Sequence, residues 1–139
     1  MRRFVHLSRI LAVWLALLAM PMIASAEFIK NLPRAGGDYT LTVASNAANP
    51  GPTAVTVSSV VRTKRIREVD PLTAAAGAFV SKTGMLPDSL VRLIVEVDLP
   101  ETTPGNLSDA VVTMSQPLTG VPYERRISQD TTFVFDIVP

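Results

Sequence analysis

The chain has 139 residues, with 13 Lys and Arg against 12 Asp and Glu; 47% of it is hydrophobic and it contains no cysteine. Its one His (His6) and one Trp (Trp14) lie in the first 26 residues, so residues 27–139 carry no imidazole, thiol or indole. That inventory excludes disulfides, Ser-His and Cys-His nucleophiles, zinc sites built on His or Cys, and haem held by either residue.

The N-terminal stretch MRRFVHLSRILAVWLALLAMPMIASAE places Arg2, Arg3 and Arg9 before an apolar run from Ile10 to Ala19, then Pro21, then Ala24-Ser25-Ala26. Basic, apolar and small-residue zones in that order are the layout of a secretory signal peptide. A signal-peptide helix is therefore expected over 1–26, cleaved after Ala26. A membrane-spanning helix needs about 20 apolar residues, and Pro21 interrupts this run first; an uncleaved anchor requires stretching it through Pro21 to Ala24. The expected destination is periplasmic or secreted, with no stable membrane anchor after cleavage. Without the leader, ten Lys and Arg face all twelve acids. A mildly acidic domain suits nucleic acid poorly, because that partner requires a basic face. Residues 27–139 suffice for one domain with an unaided core.

Alternation of apolar and polar residues begins after Gly37. Tyr39, Leu41 and Val43 share one face of a predicted half-buried strand, with Thr40 and Thr42 on the other. NAANPGP, 46–52, is a turn cluster. Val55, Val57 and Val61 keep one parity, which switches at Ile66 and predicts a bulge, bend or break between about residues 59 and 65. PLTAAAGA, 71–78, reads as a loop, a 3-10 turn or one helical turn, and Phe79-Val80 as a short edge segment. After Pro87, Val91, Leu93, Val95, Val97 and Leu99 are expected to point into the core, with Arg92, Glu96 and Asp98 opposite. PETTPGN, 100–106, breaks that strand. Ala110, Val112 and Met114 form another strand, Tyr123 and Ile127 a short one, and Phe133, Phe135 and Ile137 the last. The fold class this predicts is all-β: an immunoglobulin-like two-sheet sandwich of about seven strands in residues 27–139, preceded by the signal-peptide helix.

YTLTVASNAANPGPTAVTVSSVVR, Tyr39 to Arg62, resembles the strand-turn-strand opening of bacterial extracytoplasmic immunoglobulin-like domains. Two groups share that look: the conserved-repeat modules of surface proteins and the N-terminal domain of PapD-type pilus chaperones. FVSKTGMLPDSLVRLIVEV, Phe79 to Val97, is similar to the chaperones' proline-punctuated approach to a sheet strand, and DTTFVFDIVP to their alternating terminal strand. The chaperone resemblance implies a cleft Arg and a cleft Lys that hold a subunit's terminal carboxylate. Arg34 is the counterpart available for the first, no Lys lies near the last strand for the second, and the chain has no room for the chaperones' second domain.

Four cations, Arg62, Lys64, Arg65 and Arg67, crowd six positions of VVRTKRIREVD. In an extended segment Arg62 and Lys64 face one way and Arg65 and Arg67 the other. Both sets cannot be buried, so an edge strand or protruding hairpin is expected. Lys and Arg on an edge discourage a second molecule from adding to the sheet; the functional alternative is contact with an anionic partner. Phe133, Phe135 and Ile137 are either core residues or, if the last strand is exposed, anchors for strand addition. Lys82-Thr83-Gly84 spells the KTG of penicillin-recognising enzymes without its partner motifs S-x-x-K and S-D-N. Asp98, Glu101 and Asp109 flank a turn without the spacing of a calcium loop, and read as solvated charges. The functional expectation is a non-enzymatic module of the periplasm or cell surface, with no cofactor and no metal, whose partner is a protein of the cell envelope. The alternative is a single-domain chaperone-like assembly factor.

Overall fold

The computed structural model describes residues 26–67, 71–101 and 107–139. Residues 1–25 of the expected signal helix, Glu68 and Asp70 of the basic run, and most of the PETTPGN turn lie outside these residues, while Ala26, the last residue expected in the leader, opens a strand.

Ten strands follow in chain order: β1 (Ala26–Pro33), β2 (Tyr39–Ser45), β3 (Thr53–Val61), β4 (Lys64–Arg67), β5 (Leu72–Ala74), β6 (Phe79–Gly84), β7 (Leu90–Asp98), β8 (Ala110–Ser115), β9 (Tyr123–Ile127) and β10 (Thr131–Val138), with one 3-10 turn, Arg34–Gly36, after β1. They form two sheets. The larger runs β1-β10-β7-β3-β4, with β5 also paired to β3; the smaller runs β6-β2-β8-β9. The fold is all-β, a two-sheet sandwich, and the described residues include no α-helix.

The alternating residues supply the core. Tyr39, Leu41 and Val43 of β2, Val112 and Met114 of β8, Leu93, Val95 and Val97 of β7, and Phe133 and Phe135 of β10 are each at most 2% exposed. Burying an aliphatic or aromatic side chain of this kind stabilises the fold by about 1.5–3 kcal/mol. The sandwich closes without a disulfide because each sheet presents a full apolar face to the other.

Several expectations change. The described residues form ten strands rather than about seven, chiefly because β1, β4 and β5 are short or weakly patterned. PLTAAAGA contains a strand, β5, whose Leu72 and Ala74 pair with Val55 and Thr53. The parity switch before Ile66 is a two-residue hairpin turn, Arg62-Thr63, between β3 and β4. Val91 is 47% exposed rather than buried. Val60 pairs with Arg92 while Val61 pairs with Leu90, so Val91 is the extra residue of a bulge, and Leu90 takes the inward place.

Buried polar groups tie the ends of strands together. Asn49, in the β2–β3 turn, donates from Nδ2 to Ser45 Oγ and to the Asp109 carbonyl, and its Oδ1 accepts from the Asp109 amide. Ser45 Oγ also meets the Thr53 hydroxyl at 3.1 Å. The turn is thereby fastened to the entrance of β8 with Asn49 fully satisfied, which buried amides require. Gly84 is fixed by contact: a Cβ there would come within 2.6 Å of the Tyr39 ring, its cross-strand partner.

Candidate functional site

The larger sheet ends in two very different edges, and the basic run forms one of them. Lys64, Arg65 and Arg67 lie on β4, which pairs with β3 only through Ser58–Val61. Arg62 occupies the turn with φ of 57°, a left-handed conformation that costs a side-chain-bearing residue about 1 kcal/mol or more. The side chains of Arg62, Lys64 and Arg65 are exposed. Arg65 pairs with Glu96 across the outer face of the sheet, and Arg92 pairs there with Asp136 at 2.7 Å. Val61, Arg62, Thr63, Lys64, Ile66 and Ser89 line a shallow, open concavity at the hairpin tip. The structure thus brings the run together as an edge hairpin.

Phe133, Phe135 and Ile137 lie in the core at 1%, 0% and 7% exposure. Their strand, β10, is flanked by β1 on one side and β7 on the other, so the condition for strand addition there, an exposed last strand, is not met. The physical reason is that the first strand covers it: β1 runs parallel to β10 in unbroken register from Ala26↔Thr131 to Pro33↔Val138.

The other edge is therefore β1, which sequence reading missed. The amide of Ala26 donates to the Asp130 carbonyl at 2.9 Å. In a parallel ladder, alternate residues bond their partner strand through both backbone groups while those between bond outward. Ala26, Phe28, Lys30 and Leu32 are accordingly spent on β10. Glu27, Ile29 and Asn31 aim their N–H and C=O groups away from the sheet, where no described strand pairs with them. Pro33 falls on the outward parity, so its missing N–H leaves the internal ladder intact.

Inward from β1, the seam between the sheets is aromatic. Phe28 packs on Phe133 with ring centroids 5.7 Å apart, and Tyr123 meets Phe135 edge-on at 6.0 Å. Both edge strands on this flank contribute cations that lie over those rings: Arg125 of β9 sits 3.7 Å above Phe28, and Lys30 of β1 lies 5.7 Å from Tyr123. Such side chains cover apolar surface with their stems and keep the charge in water.

Across the outer face, one cross-strand row reads Ile29–Val134–Ile94–Ser58. Ile29 is 67% exposed at its end, whereas Val134 is buried. Ser58 Oγ is buried with no hydrogen-bond partner among the described residues.

Arg34 follows β1 in the 3-10 turn, and its guanidinium donates to the carbonyls of Pro87 and Leu90. Committed to the loop before β7, it fastens the chain and does not present a free cleft cation. Lys30, on the strand beside β10, stands opposite Phe135, so a Lys does lie near the last strand. Of the turn acids, Asp98 has its carboxyl pushed above the ordinary value by burial, then by repulsion from Asp130 and Glu96. Asp109 pairs with Arg126 at 3.4 Å. Among the described residues, no three His, Cys, Asp or Glu side chains come together as a metal site.

The class defined by these observations is an all-β sandwich whose larger sheet has one charged and one bare edge among the described residues. Compared with known proteins, the chain matches no family model, no curated protein and no solved structure.

Proposed function

We propose that this protein is a non-enzymatic, exported, immunoglobulin-like module that works by protein contact, and that the contact is strand addition along β1. The observation that carries the reading is the run of outward backbone groups at Glu27, Ile29 and Asn31 beside an exposed Ile29. An added strand gains affinity from main-chain hydrogen bonds and specificity from alternate side chains. The residue inventory supports a non-enzymatic role, since residues 27–139 offer no His or Cys. The leader-like first 26 residues support export to an envelope compartment.

The test is capture from an envelope extract by the native chain, an Ile29→Pro variant and an Arg65→Glu variant, each checked for folding by thermal melting. Ile29→Pro removes one outward donor and no internal one, so a folded variant is expected to lose the partner, while Arg65→Glu retains it. Retention by a folded Ile29→Pro protein would sink the assignment to β1. Loss only with Arg65→Glu would transfer the site to the basic hairpin.

A further inference from the structure

We infer that the strand added at β1 is β1 of a second copy of this chain, antiparallel, about a two-fold axis that passes through Ile29. The inference rests on the strand-addition reading and names its partner.

The β1 edge is self-complementary. In antiparallel pairing about Ile29, Ile29 faces itself, and Glu27 faces Asn31 of the second copy. All of these positions share the outward parity fixed by the Ala26 to Asp130 hydrogen bond. Each facing pair can therefore exchange both backbone N–H···O bonds. A centre on Phe28 or Lys30 would set outward groups against each other as well, but it would bring Pro33 or the strand's first residues into the ladder and shorten it. Centred on Ile29, the ladder stops before Pro33, which cannot donate.

The side chains agree with the backbone. Glu27, Ile29 and Asn31 lie on the outer face with Val134 and Ile94. A two-fold axis normal to the sheet keeps that face common to both copies. The row Ile94–Val134–Ile29 then continues into Ile29–Val134–Ile94 of the second copy, and the most exposed member of the row meets its own equivalent. Cross-strand apolar pairs of this kind are stabilising. At the ends, the Glu27 carboxylate accepts from the Asn31 amide of the other copy. Each larger sheet gives up its one long bare edge, and the two merge into a continuous sheet.

One term opposes association. Lys30 of the second copy arrives beside Phe28, which Arg125 already covers. Like charges at an exposed seam repel and are screened by salt, so association strengthens as ionic strength rises.

The experiment uses the absence of native cysteine. The complete reading frame is expressed with Ile29→Cys, the N-terminus of the product is read by mass spectrometry, and the protein is oxidised under native conditions. Facing residues in a hydrogen-bonded antiparallel pair have Cα atoms about 5.5 Å apart, within the range a disulfide spans. The expected result is efficient disulfide-linked dimer for Ile29→Cys, with little for Val121→Cys, a control site that is 93% exposed. Mixed Glu27→Cys and Asn31→Cys proteins are expected to cross-link with each other more than with themselves. The native chain is expected to sediment increasingly as a dimer with added salt.

Cross-linking at Ile29 no greater than at Val121 overturns the second-copy proposal, as does dimerisation that weakens with salt. If that happens while Ile29→Pro still abolishes capture of an envelope protein, strand addition stands with a different partner. If Ile29→Pro changes neither readout, the strand-addition reading falls as well.

Discussion

The two edges of the larger sheet handle the same hazard in opposite ways. On β4, the hairpin closes on the Val61–Lys64 pair, so the backbone groups that point outward belong to Arg65 and Arg67. Four residues long and with the exposed Arg65 at a bare position, that edge discourages an incoming strand. On β1, eight residues long, the bare positions hold Glu27, Ile29 and Asn31, and the cation of the strand, Lys30, is turned toward the seam. Unpaired strand edges invite association unless charge, brevity or proline blunts them. The contrast therefore separates an edge the sequence protects from one it leaves able to pair.

The sharpest way to break this comparison is a pair of prolines one residue apart. Lys30→Pro removes a donor that bonds β10 and is expected to cost about 2–3 kcal/mol in denaturant unfolding; Ile29→Pro is expected to cost much less. Lys30→Ala serves as the control for the lost contact with Tyr123. Equal losses from the two prolines would mean that the parity assigned to β1 is wrong. Next in size, Arg62→Gly relieves the left-handed turn residue. After glycine's larger unfolded-state entropy is offset, a gain of about 0.5 kcal/mol is expected. A loss instead would show that the Arg62 side chain holds the hairpin.

Smaller still is the coupling of Arg65 to Glu96. Both side chains are substantially exposed, so a double-mutant cycle is expected to yield about 0.5 kcal/mol or less, declining with salt. A larger coupling would make the β4 edge part of a rigid framework rather than a solvated margin. The smallest effect concerns pH. The Asp98 carboxyl lies above its ordinary value in the folded chain, so the folded state binds that proton more tightly than the unfolded state. Its contribution is fully present below the ordinary aspartate value and is lost as pH rises through the folded one. Asp98→Asn is expected to raise the melting temperature slightly at neutral pH and not at pH below that window.

Much of the layering is legible in the sequence, because half-buried strands print their inward face as alternation. The inward sets of β2 and β8, and Phe133, Phe135 and Ile137 of β10, follow from that pattern. It fails where the physics is not local. β1 is not legible because Lys30 occupies an inward position of AEFIKNLP and interrupts the apolar alternation; a lysine is acceptable there because the sheet edge leaves it exposed, with its ammonium near the Tyr123 ring, far along the chain. Val91 carries the apolar signature of its strand, yet a register shift set by β3 turns it out. The basic run is legible as an edge, since cations on both faces of a strand admit no buried alternative. Which strand would form the opposite edge depends on sheet order, and no local residue pattern encodes it.

The first and last strands are neighbours, with Ala26 beside Thr131. A contact between such distant positions demands the most loop-closure entropy and forms late. During synthesis, the segment bearing Ile29 has no ladder to join until β10 has emerged. The β1 edge thus becomes ordered only once β10 is in place: a chain that has not finished folding has no such edge to offer.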